Sequence, residues 1–168
     1  LIRRQGWSAV SIRSVAAGCG VSVGSIYNYF DSKTDLIGAT VESVWCEIFH
    51  RPEDDAVFQD VQVCVAWMYQ RMAYGCERYP GFFTLHSLGF LREDKTAGKQ
   101  RMQQTWQHIL AGLCSVLKQD VRIRPDAFTE QFTAEKFADV LFSQMLSALL
   151  RQDYDPSAVL EIVRRAIY

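Results

Sequence analysis

Proline is scarce in this chain. Its four positions, Pro52, Pro80, Pro125 and Pro156, each fall where a helical pattern would end or begin. No segment alternates long enough to read as a strand, and no repeat or low-complexity tract occurs. No run of ~18 apolar residues exists, so no membrane span is expected. No basic segment precedes an apolar stretch, so the sequence shown carries no secretory signal. Cysteine is odd in number, at five, with no C-x-x-C pair, which excludes a disulfide framework and points to a reducing, cytoplasmic compartment. The cysteines sit in apolar periodic runs and read as small hydrophobes. The three histidines, His50, His86 and His108, lie far apart and near no cysteine at ligand spacing, so no metal site is expected. There is no nucleophile–base pairing at motif spacing and no glycine-rich phosphate loop, so neither an enzyme nor a cofactor is expected. No charge sign dominates: 18 Lys+Arg face 19 Asp+Glu, for a net −1 and a pI near 6.3. That balance, taken whole, argues against a bulk-basic nucleic-acid binder.

What is present is helical pattern. Apolar residues at 49% and aromatics at 12% supply enough core to exclude disorder. The chain begins in Leu1-Ile2-Arg3-Arg4, which reads as the inside of a helix whose first part is missing. Ser11 can cap a helix carrying Ile12, Val15, Ala16 and Cys19. Gly20 ends it, because a left-handed terminal residue is cheapest as glycine. Ser22 caps a two-turn helix over 23–30. Ser32 with Asp35 matches the reciprocal capping pattern and starts a helix to about residue 50. Longer helices are expected over 55–79, 97–118 and 133–151, with a short aromatic one over 81–91. A last helix starts with Asp155 as cap and Pro156 as first residue. The 55–79 helix is apolar on more than one face, so it is buried or borders a cavity.

Two short helices joined by Gly20-Val21-Ser22 make a helix-turn-helix in outline. The second could enter a major groove by its N-terminal end. Its outward residues, Ser22, Gly24, Ser25, Tyr27, Asn28 and Tyr29, are small or polar. Asn can pair with adenine's edge, and hydroxyls suit phosphate oxygens. Val15, Ala16, Val21, Ile26 and Phe30 are expected to point inward. Such motifs also occur in proteins that never touch DNA.

The run Gly6-Trp7, Ser11-Ile12-Arg13, Val15-Ala16, Gly20 through Phe30, Ser32-Lys33 and Leu36 resembles the DNA-binding domain of TetR/AcrR-family transcriptional regulators. The match covers about 36 residues without a gap. It implies an all-α fold: an N-terminal three-helix helix-turn-helix DNA-binding domain over 1–45, and a larger helical ligand-binding and dimerisation domain over 46–168. It further implies a homodimer on double-stranded operator DNA, usually a repressor, released by a small molecule. Under the resemblance, Ser22, Val23, Gly24, Ser25, Tyr27, Asn28 and Tyr29 belong to the recognition helix. Tyr27, Tyr29 and Lys33 would contact phosphates, Ser25 and Asn28 base edges or sugars, and Arg13 the backbone or a base. The family often has Lys where this chain has Val23, so a phosphate contact there is lost or becomes contact with a thymine methyl. The plainer alternatives are a packed Tyr27 and a solvated Lys33.

The resemblance also places an effector cavity among the middle helices. Those helices supply Trp67, Tyr74, Phe83, His86, Phe90, Trp106, His108 and Leu110, a lining that would suit an apolar or aromatic compound but equally an ordinary core. The last two helices are apolar on more surface than a monomer needs. Phe137, Leu141, Met145, Leu149, Val159 and Val163 are therefore expected at a dimer interface. The competing functions are a helix-turn-helix that binds only protein, and a helical enzyme. Charge position bears on the choice. Residues 1–34 hold Arg3, Arg4, Arg13 and Lys33 against Asp31, a +3 head on a −4 body.

Overall fold

A computed structural model describes residues 1–50, 55–83 and 97–168. Every regular element in them is helical. In order they are α1 (Ile2–Gln5), a 3-10 turn (Trp7–Ala9), α2 (Ile12–Cys19), α3 (Val23–Tyr27) and α4 (Lys33–Ile48). A second 3-10 turn (Asp55–Gln59) precedes α5 (Val61–Arg78), α6 (Ala97–Gln119), α7 (Ala134–Arg151) and α8 (Ser157–Ile167). No helix among the described residues is long and apolar enough to cross a membrane. The expected helix over 81–91 lies mostly outside the described residues; Gly81, Phe82 and Phe83 form a turn.

The chain divides into two units. One holds Leu1–Ile48 and Tyr74–Thr105, the other Phe49–Ala73 and Trp106–Tyr168. The expected division is at 45/46; the first unit here runs to Ile48 and also takes in Tyr74–Thr105, which begins near the end of α5. The physical reason is aromatic packing. Trp45 is 1% exposed, and its ring lies edge-on to Phe82 at 6.3 Å and to Phe83 at 5.7 Å. Phe82 in turn meets Trp7 at 5.5 Å. Gly75 lets α5 run close against Ile48: a Cβ there would lie 2.5 Å from the Ile48 Cδ1.

The second unit is built on the wide apolar arc of α7. Phe137, Leu141, Met145 and Leu149, one turn apart in sequence, are each 2% exposed or less. Burying a side chain of this size contributes about 1.5–3 kcal/mol relative to leaving it in water. Val159 and Val163 of α8 are buried as well. Thr133 caps α7 by accepting the Lys136 N–H at 3.3 Å. The last helix differs from expectation: Pro156, not Asp155, is the N-cap of α8, which starts at Ser157, and Asp155 accepts the Ser157 N–H at 2.9 Å from just before the cap.

A polar clamp closes this unit. Asp120, its side chain fully buried, accepts the Val61 N–H at 3.0 Å and so caps α5 from a distant part of the chain. Arg122 grips the same carboxylate through Nε at 3.0 Å and a terminal nitrogen at 2.7 Å. It also pairs with Asp60 at 2.7 Å and lies over the Tyr168 ring at 5.2 Å. The Tyr168 hydroxyl donates to Asp120. Burial alone would push the Asp120 carboxyl up; the hydrogen bonds from Arg122 and Tyr168 outweigh it and hold the group well below the usual carboxylate range.

Candidate nucleic-acid interface

The short helices of the first unit are set by hydroxyl caps. Ser11 Oγ accepts the Ser14 N–H at 3.1 Å while Ser14 Oγ accepts the Ser11 N–H at 2.9 Å. Two N–H groups that the first turn of α2 would leave free are thereby satisfied. Gly20 ends α2 at φ +68°, a conformation that favours glycine. The Gly20 N–H donates to the Ala17 carbonyl at 3.2 Å, and the Val21 N–H to that of Ala16 at 3.0 Å. Ser22 then caps α3, accepting the Ser25 N–H at 3.1 Å. Ser32 Oγ accepts the Asp35 N–H at 3.1 Å and starts α4. The reciprocal half of that cap differs from expectation: the Asp35 carboxylate takes the Asp31 N–H at 3.3 Å, one residue before the position the pattern implies.

Ile12, Ala16, Ile26 and Leu36 form the buried core that holds α2, α3 and α4 together, with Val15 and Phe30 packed against it. Val21, expected in that core, is instead 45% exposed. It sits in the turn after Gly20, where the left-handed residue redirects the chain and no helical face turns it inward.

Burying Ile26 commits the opposite side of α3 to solvent. Tyr27 is 52% exposed and Tyr29 81%. Val23 and Asn28 are exposed too, as are Ser22 and Gly24. Ser25 is half-buried, its hydroxyl 2.8 Å from that of Ser22. Arg13 on α2 and Lys33 at the start of α4 are exposed. The surface therefore offers two phenol hydroxyls, a carboxamide, a valine and two cations, with a small residue, Gly24, on the exposed side of α3. Such groups can hydrogen-bond phosphates and base edges. Tyr27 is not a packed aromatic. The head's charge is partly compensated: Arg3 pairs with Glu47, donates to the Tyr79 hydroxyl at 3.0 Å and lies over the Tyr79 ring.

The expected effector lining separates into different places. Trp67 borders a cavity of about 150 Å³ within the second unit, together with Phe49, Phe58, Cys64, Met68, His108, Ile109, Gly112 and Leu113. His108, one of the residues named for the lining, borders this cavity. Leu110 and Trp106 are not on that wall, because they lie on an adjoining face of α6. Leu110 borders an open groove beside Lys118 and Glu135, and Trp106 meets Phe142 edge-on at 5.7 Å. Tyr74 lies two turns beyond Trp67 on α5, in the first unit, and is exposed. Phe83 is buried in the first unit against Trp45 and Phe82. His86 and Phe90 lie outside the described residues. Cys64, Met68 and Gly112 carry no signal of their own in the sequence; only the two-faced apolar pattern of α5 hints at a cavity.

The expected dimer residues are corrected outright. Phe137, Leu141, Met145, Leu149, Val159 and Val163 are all buried inside the chain's own second unit, at 8% exposure or less. A regular apolar stripe serves the nearest core first. The apolar residues left outside on these two helices are Val140, Leu150 and Ile162, each about half exposed.

Among known proteins, residues 1–40 match the family model of bacterial regulatory proteins, tetR family. No curated protein matches the chain. The matched segment spans the capped α2, the Gly20 turn, the exposed α3 and the start of α4, and with it the chain carries the helix-turn-helix DNA-binding domain of the TetR family of transcriptional regulators.

Proposed function

We propose that this regulator is a repressor that holds operator DNA as a homodimer and lets go when a small apolar or aromatic molecule occupies its second unit. The observation that carries the DNA side is the outward surface of α3 and the turn that follows it: Tyr27 at the end of the helix and Asn28 and Tyr29 just beyond it stand in solvent, while Ile26 fixes the helix from behind. A purely structural segment would have little reason to hold two tyrosines so exposed. Tyr27, Tyr29, Lys33 and Arg13 would meet phosphates, and Asn28, Val23 and Gly24 would face base edges. Small size at Gly24 would allow close approach of the backbone, and the Ser22–Ser25 pair would keep the helix start in shape. For the dimer, Val140 and Ser143 of α7 with Ile162 of α8 supply the exposed surface that a second copy would cover. The effector role falls to the cavity beside Trp67, whose occupancy would shift the spacing of the paired α3 helices. A coupling of this kind is typically ~1–3 kcal/mol and reciprocal.

The test is a gel shift with the DNA upstream of the protein's own gene. Tyr27→Ala and Lys33→Ala should both weaken retention, and Lys33→Ala, which removes a charge, should also flatten its salt dependence. Asn28→Ala should alter sequence preference instead. Unchanged affinity in both of the first two variants, with an unchanged slope in Lys33→Ala, would refute the interface.

A further inference from the structure

The cavity beside Trp67 constrains what the second unit could bind, and this inference rests on reading that unit as the effector-binding part. Size comes first. A dry apolar cavity of about 150 Å³ holds one benzene ring, and this one has the same volume. Wall chemistry comes next. Phe49 and Phe58 stand edge-on to Trp67 with centroids 6.2 Å and 5.9 Å away. Edge and face contacts of this sort favour a further aromatic ring over an aliphatic chain of equal volume. Met68 and Cys64 add polarisable sulfur, which contacts rings well. Burial pushes the Cys64 thiol up to about 12, so it stays an uncharged wall at neutral pH.

Polarity is graded. Cys64, Met68 and Leu113 are buried at 4% exposure or less, whereas His108 and Gly112 are exposed. The buried residues are thus the floor and His108 marks the mouth. No acidic or basic residue other than His108 lines the cavity among the described residues. A carboxylate entering it would shed water with little in return. Gly112 belongs to the design of the mouth. A Cβ there would meet no atom within 4 Å, so glycine is not required by crowding or by backbone conformation. Its lack of a side chain keeps the opening clear.

We infer that the cavity binds an uncharged single-ring aromatic molecule, ring inward against Trp67 and Met68, with one hydrogen-bonding substituent turned to His108 at the mouth.

The experiment is a titration of the full chain, labelled with ¹³C at the methionine methyls, with toluene, phenol, benzoate and 4-phenylphenol. Met68 alone of the fully described methionines borders the cavity, and Met145 serves as the internal control. Toluene and phenol should shift the Met68 methyl by ring current and leave Met145 in place. Benzoate and 4-phenylphenol should leave both. His108→Ala, a change at an exposed position, should weaken phenol roughly two- to tenfold and leave toluene unaffected. Gly112→Leu should abolish the Met68 shift with both ligands while the circular dichroism of the chain is retained. No saturable Met68 shift with toluene or phenol in the native chain would overturn the assignment. So would equal binding of 4-phenylphenol. Operator retention measured in the same samples separates the two claims: a Met68 shift without operator release supports the ligand class and removes its effector role, and operator loss in Tyr27→Ala is independent of both.

Discussion

The same substitution at two helical glycines should move stability in opposite directions. Gly75 lies in α5 and Gly112 in α6, and replacing either by Ala should gain about 1 kcal/mol of helix propensity. At Gly112 nothing opposes that gain, because the new methyl meets no atom within 4 Å. For a chain of this length, 1 kcal/mol corresponds to a Tm rise of about 2–4 °C. At Gly75 the new methyl would sit 2.5 Å from Ile48 Cδ1, 2.9 Å from its Cγ1 and 3.2 Å from a Phe83 ring carbon. Ile48 is fully buried and Phe83 is 4% exposed, so neither can swing into solvent. Overpacking of this kind costs about 1–3 kcal/mol. Net of propensity, Gly75→Ala should lie between neutral and ~2 kcal/mol destabilising. The two variants should then differ by ~1–3 kcal/mol in urea unfolding monitored by circular dichroism. A second layer tests the cause. Ile48→Val deletes Cδ1, the closest atom, and should cost less in the Gly75→Ala background than in the native chain. If Gly75→Ala raises Tm as much as Gly112→Ala does, the close approach of α5 to Ile48 is not the reason for glycine at 75.

The polar clamp and the Gly20 turn offer two further perturbations. Arg122→Ala leaves the buried Asp120 carboxylate with the Val61 N–H, the backbone N–H of residue 122 and Tyr168 as partners, and should destabilise by about 2 kcal/mol, below the ~3–5 typical of a fully broken buried pair; thermal unfolding at pH 7 checks it. Because Asp120 and Asp60 are both held below the ordinary carboxylate value, their contribution is complete above the unfolded pKa of about 4 and is lost as pH falls further. The native Tm should therefore fall more steeply from pH 5 to pH 2 than that of Asp120→Asn, and parallel curves would refute the assignment. Gly20→Ala has open space around the new methyl but a φ of +68°, so it should cost about 1–2 kcal/mol through backbone strain alone, and Gly20→Asn less than Gly20→Ala.

Local chemistry is legible in the sequence and tertiary choice is not. Ser11, Ser22 and Ser32 announce helix starts because a hydroxyl before an apolar period has one good use, and each caps its helix. Gly20 is legible for the same reason: its conformation is a local property. The inward set of the helix-turn-helix comes from 3.6-residue spacing, and fails only at Val21, which belongs to a turn with no such period. On α7 the spacing of Phe137, Leu141, Met145 and Leu149 correctly marks one apolar face. It cannot say whether that face meets the same chain or another, since burial has the same chemistry in both. The cavity is half-visible: Trp67 and His108 stand out by residue type. Gly112 matters through an absence, and Cys64 resembles any small core residue. Asp120 carries no signal at all, because its partners Val61 and Tyr168 are 59 and 48 positions away.

Charge position links these parts to function. The −1 total conceals a +3 head, yet not all of that head faces a nucleic acid freely. Arg3 is tied to Glu47 and Tyr79, which leaves Arg4, Arg13 and Lys33 exposed, and of these Arg13 on α2 and Lys33 at the start of α4 flank α3. Each phosphate neutralised on duplex DNA contributes a slope of about −0.9 to log K against log salt. Two cations per copy therefore give about −2 for one copy and about −4 for a pair. That is shallow, so one copy would bind non-specific DNA weakly. Uncharged contacts from Tyr27, Tyr29 and Asn28 would carry a larger share of affinity, and those contacts do not fade with salt. Under the proposed function, tight operator binding at physiological salt would require two copies acting together, which would tie the exposed face of α3 to the remaining exposed apolar surface at Val140, Leu150 and Ile162. A charge placed at Ile162 should lower operator affinity without touching any DNA contact, and should leave the affinity of an isolated half-site unchanged.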